Sequence, residues 1–395
     1  MNKARNPGIG AQCRPSRASK SVSLRIQAPT CTSTLFAVGL SKSARGALRM
    51  LNVTQLRGSR HAIGVAHGQR HAAQIQRSIE VYDRLFQDFA GLDWASARQA
   101  ARRFIPAIER GFPAILDELE GIAEGADLQR DDILTLNCRS EISLTQASGG
   151  CSAFSLYQQG RQWLAQNWDW RLDQLDNVVV LHIEGDDAPP LVSVGEAGML
   201  AKIGLNAHGL GVCLNAIRSQ TCGDGLPIHV ALRKLLESDG FASAQRIVAE
   251  DRVASPAHFL VASAAGQAAG FEVQPGPPGV LEARDGRVTH TNHLYAAATT
   301  ACVADFPKPD SHVRLRRLDE LLDPPPEASV SALFDVLSDH HNAPMSICKH
   351  TDNDLPEAER METLFAVVMN LDERTLHLRH GYPCNARQTL SIALD

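Results

Sequence analysis

The chain has 395 residues, 44% of them apolar and 21% charged, with a net charge of −5. That composition builds a large buried core and excludes a disordered tail or a collagen-like chain. The mild charge and few aromatics exclude a nucleic-acid footprint, and no apolar run reaches the ~18 residues of a bilayer span.

Charge is unevenly placed. Residues 1–50 hold nine Lys or Arg and no acid, whereas the rest holds thirty basic and forty-four acidic side chains, a balance of −14. The Arg-rich, Ser-rich start has the make-up of a transit peptide without its amphipathic helix. It reads as a disordered or organellar leader, or as sequence upstream of a true start at Met50, and stands apart from the fold.

The body opens with a short strand near Leu51–Leu56, and a turn containing Gly58, Gly64 and Gly68 leads into a helix. Ile75, Ile79, Tyr82, Leu85, Phe86 and Phe89 recur at three- and four-residue steps, predicting an amphipathic helix over His71–Phe89. A second helical stretch runs from Trp94 to Ile122 with breaks at Pro106 and Gly111–Pro113, and a third spans Arg130–Arg139. After Ser148-Gly149-Gly150 the apolar period switches to two. Strands are expected at Ser152–Leu156, Gln162–Trp168, Asn177–Glu184, Leu191–Glu196, Ala201–Asn206 and Gly211–Ala216, forming a β-meander. Helices follow at Ile228–Ser238 and Ala242–Glu250, then strands over His258–Val273 and Gly279–Asn292. Helices at Val313–Leu322 and Val330–His340 and a hairpin of Leu364–Leu371 with Thr375–Arg379 end the chain. Strands and helices arranged in blocks fit antiparallel sheets covered by helices rather than a βαβ array.

The sharpest break in pattern is Gly149-Gly150-Cys151, between helical and strand-like sequence. Cys151 has three readings: a buried small hydrophobe after a glycine turn, a thiol nucleophile served by a histidine such as His290 or His293, or the site of self-cleavage after Gly150. In the third, the thiol attacks the preceding carbonyl, and hydrolysis of the thioester frees the α-amine of Cys151. With a free pKa near ~8, that amine then serves as the base and no histidine is needed.

Residues Gly150-Cys151-Ser152-Ala153, Ala165-Gln166-Asn167-Trp168-Asp169-Trp170, the run from Glu196 to Asn206, Gly209-Leu210-Gly211-Val212, Thr291-Asn292-His293, Ser346-Ile347-Cys348 and Glu359-Arg360-Met361-Glu362-Thr363 occur in that order. Together they resemble the isopenicillin N acyltransferase-like family of self-processing cysteine acyltransferases and hydrolases, over roughly residues 52–390. The resemblance implies an α+β fold of N-terminal-nucleophile type, a four-layer αββα sandwich. It also implies cleavage between Gly150 and Cys151 into a helical fragment, 51–150, and a catalytic fragment, 151–395, that stay packed as one domain, with a homo-oligomer compatible. By the same resemblance Cys151 is the nucleophile, Asp169 orients the new N-terminus, Asn292 helps to hold the oxyanion, and Arg360 steadies the carboxylate or binds a substrate carboxylate. Glu359 stands where penicillin-forming members carry serine, which argues against penicillin-type recognition.

The function expected is an amidohydrolase or acyltransferase that passes an acyl-thioester from a small N-acyl or aminoacyl amide, or a thioester such as acyl-CoA, to water or an amine. Acyl-CoA-dependent acylation of 6-aminopenicillanic acid is the alternative within the family. A non-catalytic binding relative that keeps the fold is the alternative of another class. His290-x-x-His293 and His340-His341 lack a third ligand at a recognisable spacing. Gly209-Leu210-Gly211 lacks the setting of a dinucleotide site, so no metal and no cofactor are expected. Nine cysteines without a CxxC pair argue against a zinc ribbon or disulfide framework and fit a reducing, cytoplasmic compartment. Neither nucleic acid nor membrane is an expected partner.

Overall fold

The computed structural model describes residues 50–143, 150–250, 252–356 and 360–394. The charged leader, Ser148-Gly149 and Glu359 lie outside these. The first part of the body runs β1 (Val53–Gly58), α1 (Arg60–Ala90), α2 (Trp94–Arg102), α3 (Ile105–Gly111), α4 (Ile115–Ala126), α5 (Arg130–Asn137) and α6 (Arg139–Ile142). Next come β2 (Gly150–Gln158), β3 (Arg161–Trp170), β4 (Val178–Gly185), β5 (Leu191–Glu196), β6 (Ile203–Asn206), β7 (Leu210–Ala216), α7 (Ile228–Leu236) and α8 (Phe241–Glu250). The remainder is β8 (Ala257–Ser263), β9 (Gln267–Val273), β10 (Gly279–Glu282), β11 (Arg287–His290), α9 (Ala297–Thr300), α10 (Pro309–Leu321), α11 (Val330–Leu337), β12 (Glu362–Asn370), β13 (Thr375–Tyr382) and β14 (Asn385–Ala393).

Two sheets form, one of eight strands in the order β1-β4-β5-β6-β7-β8-β9-β10 and one of six in the order β11-β2-β3-β12-β13-β14. Neighbours are antiparallel except β1 and β4, which the helices α1 to α6 allow to run parallel. Helices α1, α7 and α8 cover the larger sheet, β2 and β3 pack against β7 and β8, and α10 and α11 cover the smaller sheet. The layers are therefore αββα. Period-two alternation sorts side chains between them: Cys151, Ala153, Leu164 and Trp168 enter the core between the sheets. Phe154, Leu156, Trp163 and Ala165 pack under α10 and α11 with Leu318, Phe334 and Leu337.

Three expectations are corrected. Gly64 and Gly68 lie inside α1 rather than in a turn, because α1 and α4 cross backbone to backbone. A Cβ at Gly64 would sit 2.3 Å from the Glu118 carbonyl oxygen, one at Gly68 2.2 Å from that of Ile122, and one at Gly125 2.2 Å from that of Val65. Tertiary packing overrides the poor helix propensity of glycine there. The expected meander is divided, β2–β3 belonging to the smaller sheet and β4–β7 to the larger, with a 3-10 turn at Leu172–Asn177 between them. Likewise, the strand expected over Gly279–Asn292 is two strands in different sheets, broken at Asp285 and Gly286, which adopt φ of 49° and 75°. Among the described residues no helix is long and apolar enough to cross a membrane.

Candidate active site

Cys151 is the second residue of β2, next to the edge strand of the smaller sheet, and is 2% exposed. Its backbone N–H donates to Asn292 Oδ1 at 2.8 Å. The Asn292 orientation is fixed from both sides, since one N–H of its amide donates to the Ala216 carbonyl at 2.9 Å while Oδ1 also accepts from Arg314 at 2.9 Å. Arg314, on α10 and 1% exposed, donates further to the Cys151 carbonyl at 2.6 Å and Ser152 Oγ at 3.0 Å. One guanidinium thus ties together the carbonyl of Cys151 and the side chain that accepts from its backbone nitrogen.

Asp169, near the end of β3, pairs with Gly150 across the sheet. Its Oδ1 accepts the Thr363 hydroxyl at 2.7 Å, and Thr363 Oγ1 accepts the Lys349 N–H at 3.0 Å. Its Oδ2 is buried without a hydrogen-bond partner and lies where a side chain on Gly150 would be. A Cβ there would be 2.4 Å from it. Burial pushes the Asp169 carboxyl up, against the pull of Lys349 and Arg314. Burial likewise pushes the Cys151 thiol up, and Asp169 adds to this, while the Ala216 N–H, Lys202 and Arg314 act the other way. Both shifts favour the uncharged forms of thiol and carboxyl.

Beside Cys151 a narrow pocket of only about 30 Å³ is lined by Cys151, Trp168, Trp170, Leu214, Ile217 and Arg139. Beneath it, Glu196 accepts from Arg139 at 3.1 Å, from Lys202 at 2.6 Å and from the Tyr82 hydroxyl. Lys202 also lies 3.4 Å from the Trp168 ring centroid. Two cations share one buried anion. Although burial alone would raise it, Glu196 is held low by Arg139 and Lys202. Burial, with repulsion from Arg139, pushes Lys202 down despite Glu196.

The structure therefore brings Cys151, Asp169 and Asn292 together, and Gly150 with them. Among the described residues no hydrogen bond joins Arg360 to them: its guanidinium donates to the backbone carbonyls of Leu355 at 2.9 Å and Asn353 at 3.0 Å. Arg314, which the sequence reading missed, contacts Cys151 instead. The signal was present, because Arg314, Leu318 and Leu322 fall on one helical stripe and a charge there points into the core. His290 faces Glu272 at 3.2 Å and His293 faces Ser311 Oγ at 2.8 Å. Among the described residues no hydrogen bond joins either histidine to Cys151, which leaves the histidine-assisted reading without geometric support.

The family model of acyl-coenzyme A:6-aminopenicillanic acid acyl-transferase matches residues 156–385, more than half of the chain. The chain belongs to that family. It is 30% identical over 351 residues to the 40 kDa form of acyl-coenzyme A:6-aminopenicillanic-acid-acyltransferase of Emericella nidulans, covering 88% of this chain and 97% of the relative. It is also 25% identical over 224 residues to the β-alanyl-dopamine/carcinine hydrolase of Drosophila melanogaster, covering 50% of this chain and 56% of that protein. Among solved structures, penicillin V acylase from Agrobacterium tumefaciens is 14% identical with a TM-score of 0.45, covering 62% of this chain and 86% of that one. A variant of conjugated bile acid hydrolase from Clostridium perfringens is 12% identical with a TM-score of 0.41, covering 62% and 92%. The chain is an enzyme of the acyltransferase and amidohydrolase class, with an acyl donor and an acyl acceptor as its substrates.

Proposed function

We propose that the protein is made as a precursor, cleaves itself between Gly150 and Cys151, and then transfers acyl groups through a thioester on Cys151. The observation that carries this reading is the environment of the Gly150–Cys151 peptide. Its nitrogen is engaged by Asn292 and its glycine lies against an unpartnered carboxylate oxygen of Asp169.

In cleavage, Cys151 Sγ bonds to the Gly150 carbonyl carbon, the C–N bond breaks, and the thiol proton passes to the departing nitrogen. Asp169, whose raised proton affinity suits a carrier between sulfur and nitrogen, relays it. Water then hydrolyses the thioester, leaving a carboxylate on Gly150 and a free amine and thiol on Cys151. The amine replaces the missing base, with Asn292 and Asp169 orienting it. Asn292, one amide N–H of which is not engaged at Ala216, supplies a donor to the oxyanion of the later acyl transfer. Arg360 serves by holding the chain at 353–355, next to the strand that carries Thr363.

The aromatic and aliphatic side chains lining the pocket suit the acyl group of a small N-acyl or aminoacyl amide, whose entry requires the pocket to widen, with Arg139 at its polar end. Likeness to the Emericella relative favours a second reading, acylation of 6-aminopenicillanic acid from acyl-CoA. The two separate in one assay. Matured enzyme is offered N-acyl and β-alanyl amines alone, then acyl-CoA with 6-aminopenicillanic acid, and product is quantified by mass spectrometry. Turnover confined to the first supports the amidase reading, and turnover confined to the second replaces it with the transferase.

A further inference from the structure

Between Leu337 and Glu362 no described residue lies in a helix or strand, a length of chain that seldom stays irregular in a compact domain without a reason. Within it, and reaching out to one distant turn, the fold gathers four metal-binding side chains that sequence spacing hides. His340 follows α11, Cys348 and His350 flank Lys349, and Cys384 lies in the turn between β13 and β14. Their ligand atoms all lie within 4.8 Å of one another.

We propose that His340, Cys348, His350 and Cys384 form a closed, four-ligand zinc site. Four of the six separations come close to the edges of a tetrahedron around one ion, and the other two, from His340 to the sulfurs, lie within 4.8 Å. With the usual Zn–S and Zn–N bond lengths those edges are about 3.8 Å for S···S, about 3.3 Å for N···N and about 3.6 Å for S···N. The two sulfurs are 3.6 Å apart and the two Nε2 atoms 3.1 Å. His350 Nε2 is 3.6 Å from Cys348 Sγ and 3.3 Å from Cys384 Sγ. Both cysteines are free thiols. The His350 ring is held in place by stacking on Tyr382, with centroids 4.0 Å apart.

Four protein ligands leave no open position for substrate, so the ion is structural. Binding converts both thiols to thiolates and releases two protons, which makes affinity rise with pH. The ion clamps the irregular segment to the β13–β14 turn at the end of the smaller sheet. That clamp bears on the active site through Lys349, whose N–H and C=O both pair with Thr363 at 3.0 and 2.9 Å. Thr363 is the residue that holds Asp169. The site itself does not depend on the catalytic reading.

The test is Co²⁺ titration of the reduced, chelator-stripped full chain, with Cys384→Ser and His340→Ala beside the wild type. The expected result is one equivalent bound with the intense visible bands of tetrahedral cobalt and thiolate charge transfer, displaced by Zn²⁺. Each variant should bind more weakly by over the ~10–100-fold that loss of an outer-shell partner costs, and Cys384→Ser should also lose charge-transfer intensity. Absence of a tetrahedral spectrum in the wild type, or an unchanged spectrum in Cys384→Ser, would overturn the proposal. So would recovery of Cys348 and Cys384 as a disulfide that persists in the reductant and prevents binding.

Discussion

The carboxylate of Asp169 occupies the space that a side chain on Gly150 would need, 2.4 Å from an ideal Cβ at that position. Glycine before Cys151 is therefore demanded by a neighbouring carboxylate, and not only by backbone freedom.

Gly150→Ala should then arrest maturation. The contact is with a buried atom fixed on its other oxygen by Thr363, so Asp169 has to move out of position for the variant to fold. Self-cleavage followed by gel and N-terminal sequencing should slow by at least ~100-fold, as a misplacement of about 1 Å at a reacting centre does. Cleavage at the wild-type rate would sever the link between Asp169 and the scissile peptide.

Arg314→Met should cost both stability and activity. The guanidinium is buried, and its loss strips donors from the Cys151 carbonyl and Asn292 Oδ1 and leaves Asp310, 3.4 Å from its Nε, with less compensation. Breaking such a buried pair costs roughly 3–5 kcal/mol, read as a fall in the urea midpoint. Arg360→Met, by contrast, removes only two bonds to a surface loop and should cost ~1 kcal/mol or less. Reversed magnitudes would return Arg360 to the centre of the site.

Gly68→Ala tests the helix crossing. Helix propensity favours alanine by about 1 kcal/mol, yet the added methyl would lie 2.2 Å from a backbone oxygen. Overpacking of this kind costs about 1–3 kcal/mol, and a clash with backbone, which cannot rotate away, puts the variant at the upper end. Net destabilisation of ~2 kcal/mol is expected in denaturant titration; a stabilised variant would mean that α1 and α4 are further apart.

Acid sensitivity follows from two buried histidines. His67 Nε2 accepts the Gly198 N–H at 3.1 Å, and burial, with help from His71, pushes its pKa down to about 3. Burial pushes His229 to about 3 as well, with Arg139 adding to the shift. A depressed folded pKa means that the unfolded chain binds the extra proton first. Stability is then full above the unfolded value of ~6.5 and falls on acidification toward pH ~3, by up to ~1.4 kcal/mol per pH unit per histidine. Urea midpoints at about pH 7.5 and about pH 5 check this; equal midpoints would contradict it.

Much of the fold was legible because apolar periodicity reports which faces are buried, and α1, β5 and the β12–β13 hairpin show it plainly. What periodicity does not carry is which sheet a strand joins, hence the divided meander. Nor does it reveal β14, an edge strand whose residues are nearly all exposed or half-buried. Cys151, Asp169 and Asn292 were legible through an ordered run of motifs, although their positions near the ends of β2, β3 and the loop after β11 meet only in space. Arg314 was missed because no motif marks it, and only the packing of α10 on β2 brings it to Cys151. The cluster of His340, Cys348, His350 and Cys384 was missed because Cys384 is thirty-four residues from His350 along the chain, and only the β13–β14 turn returns it.

The central claim is tested most directly by intact-mass spectrometry and N-terminal sequencing of purified wild type and Cys151→Ala. The account predicts a wild-type fragment of 245 residues, 151 to 395, beginning Cys-Ser-Ala-Phe, that stays associated with the helical fragment, and a mutant that remains uncut. A wild type that turns over substrate as an intact chain, or a Cys151→Ala chain cut at the same bond, would contradict it.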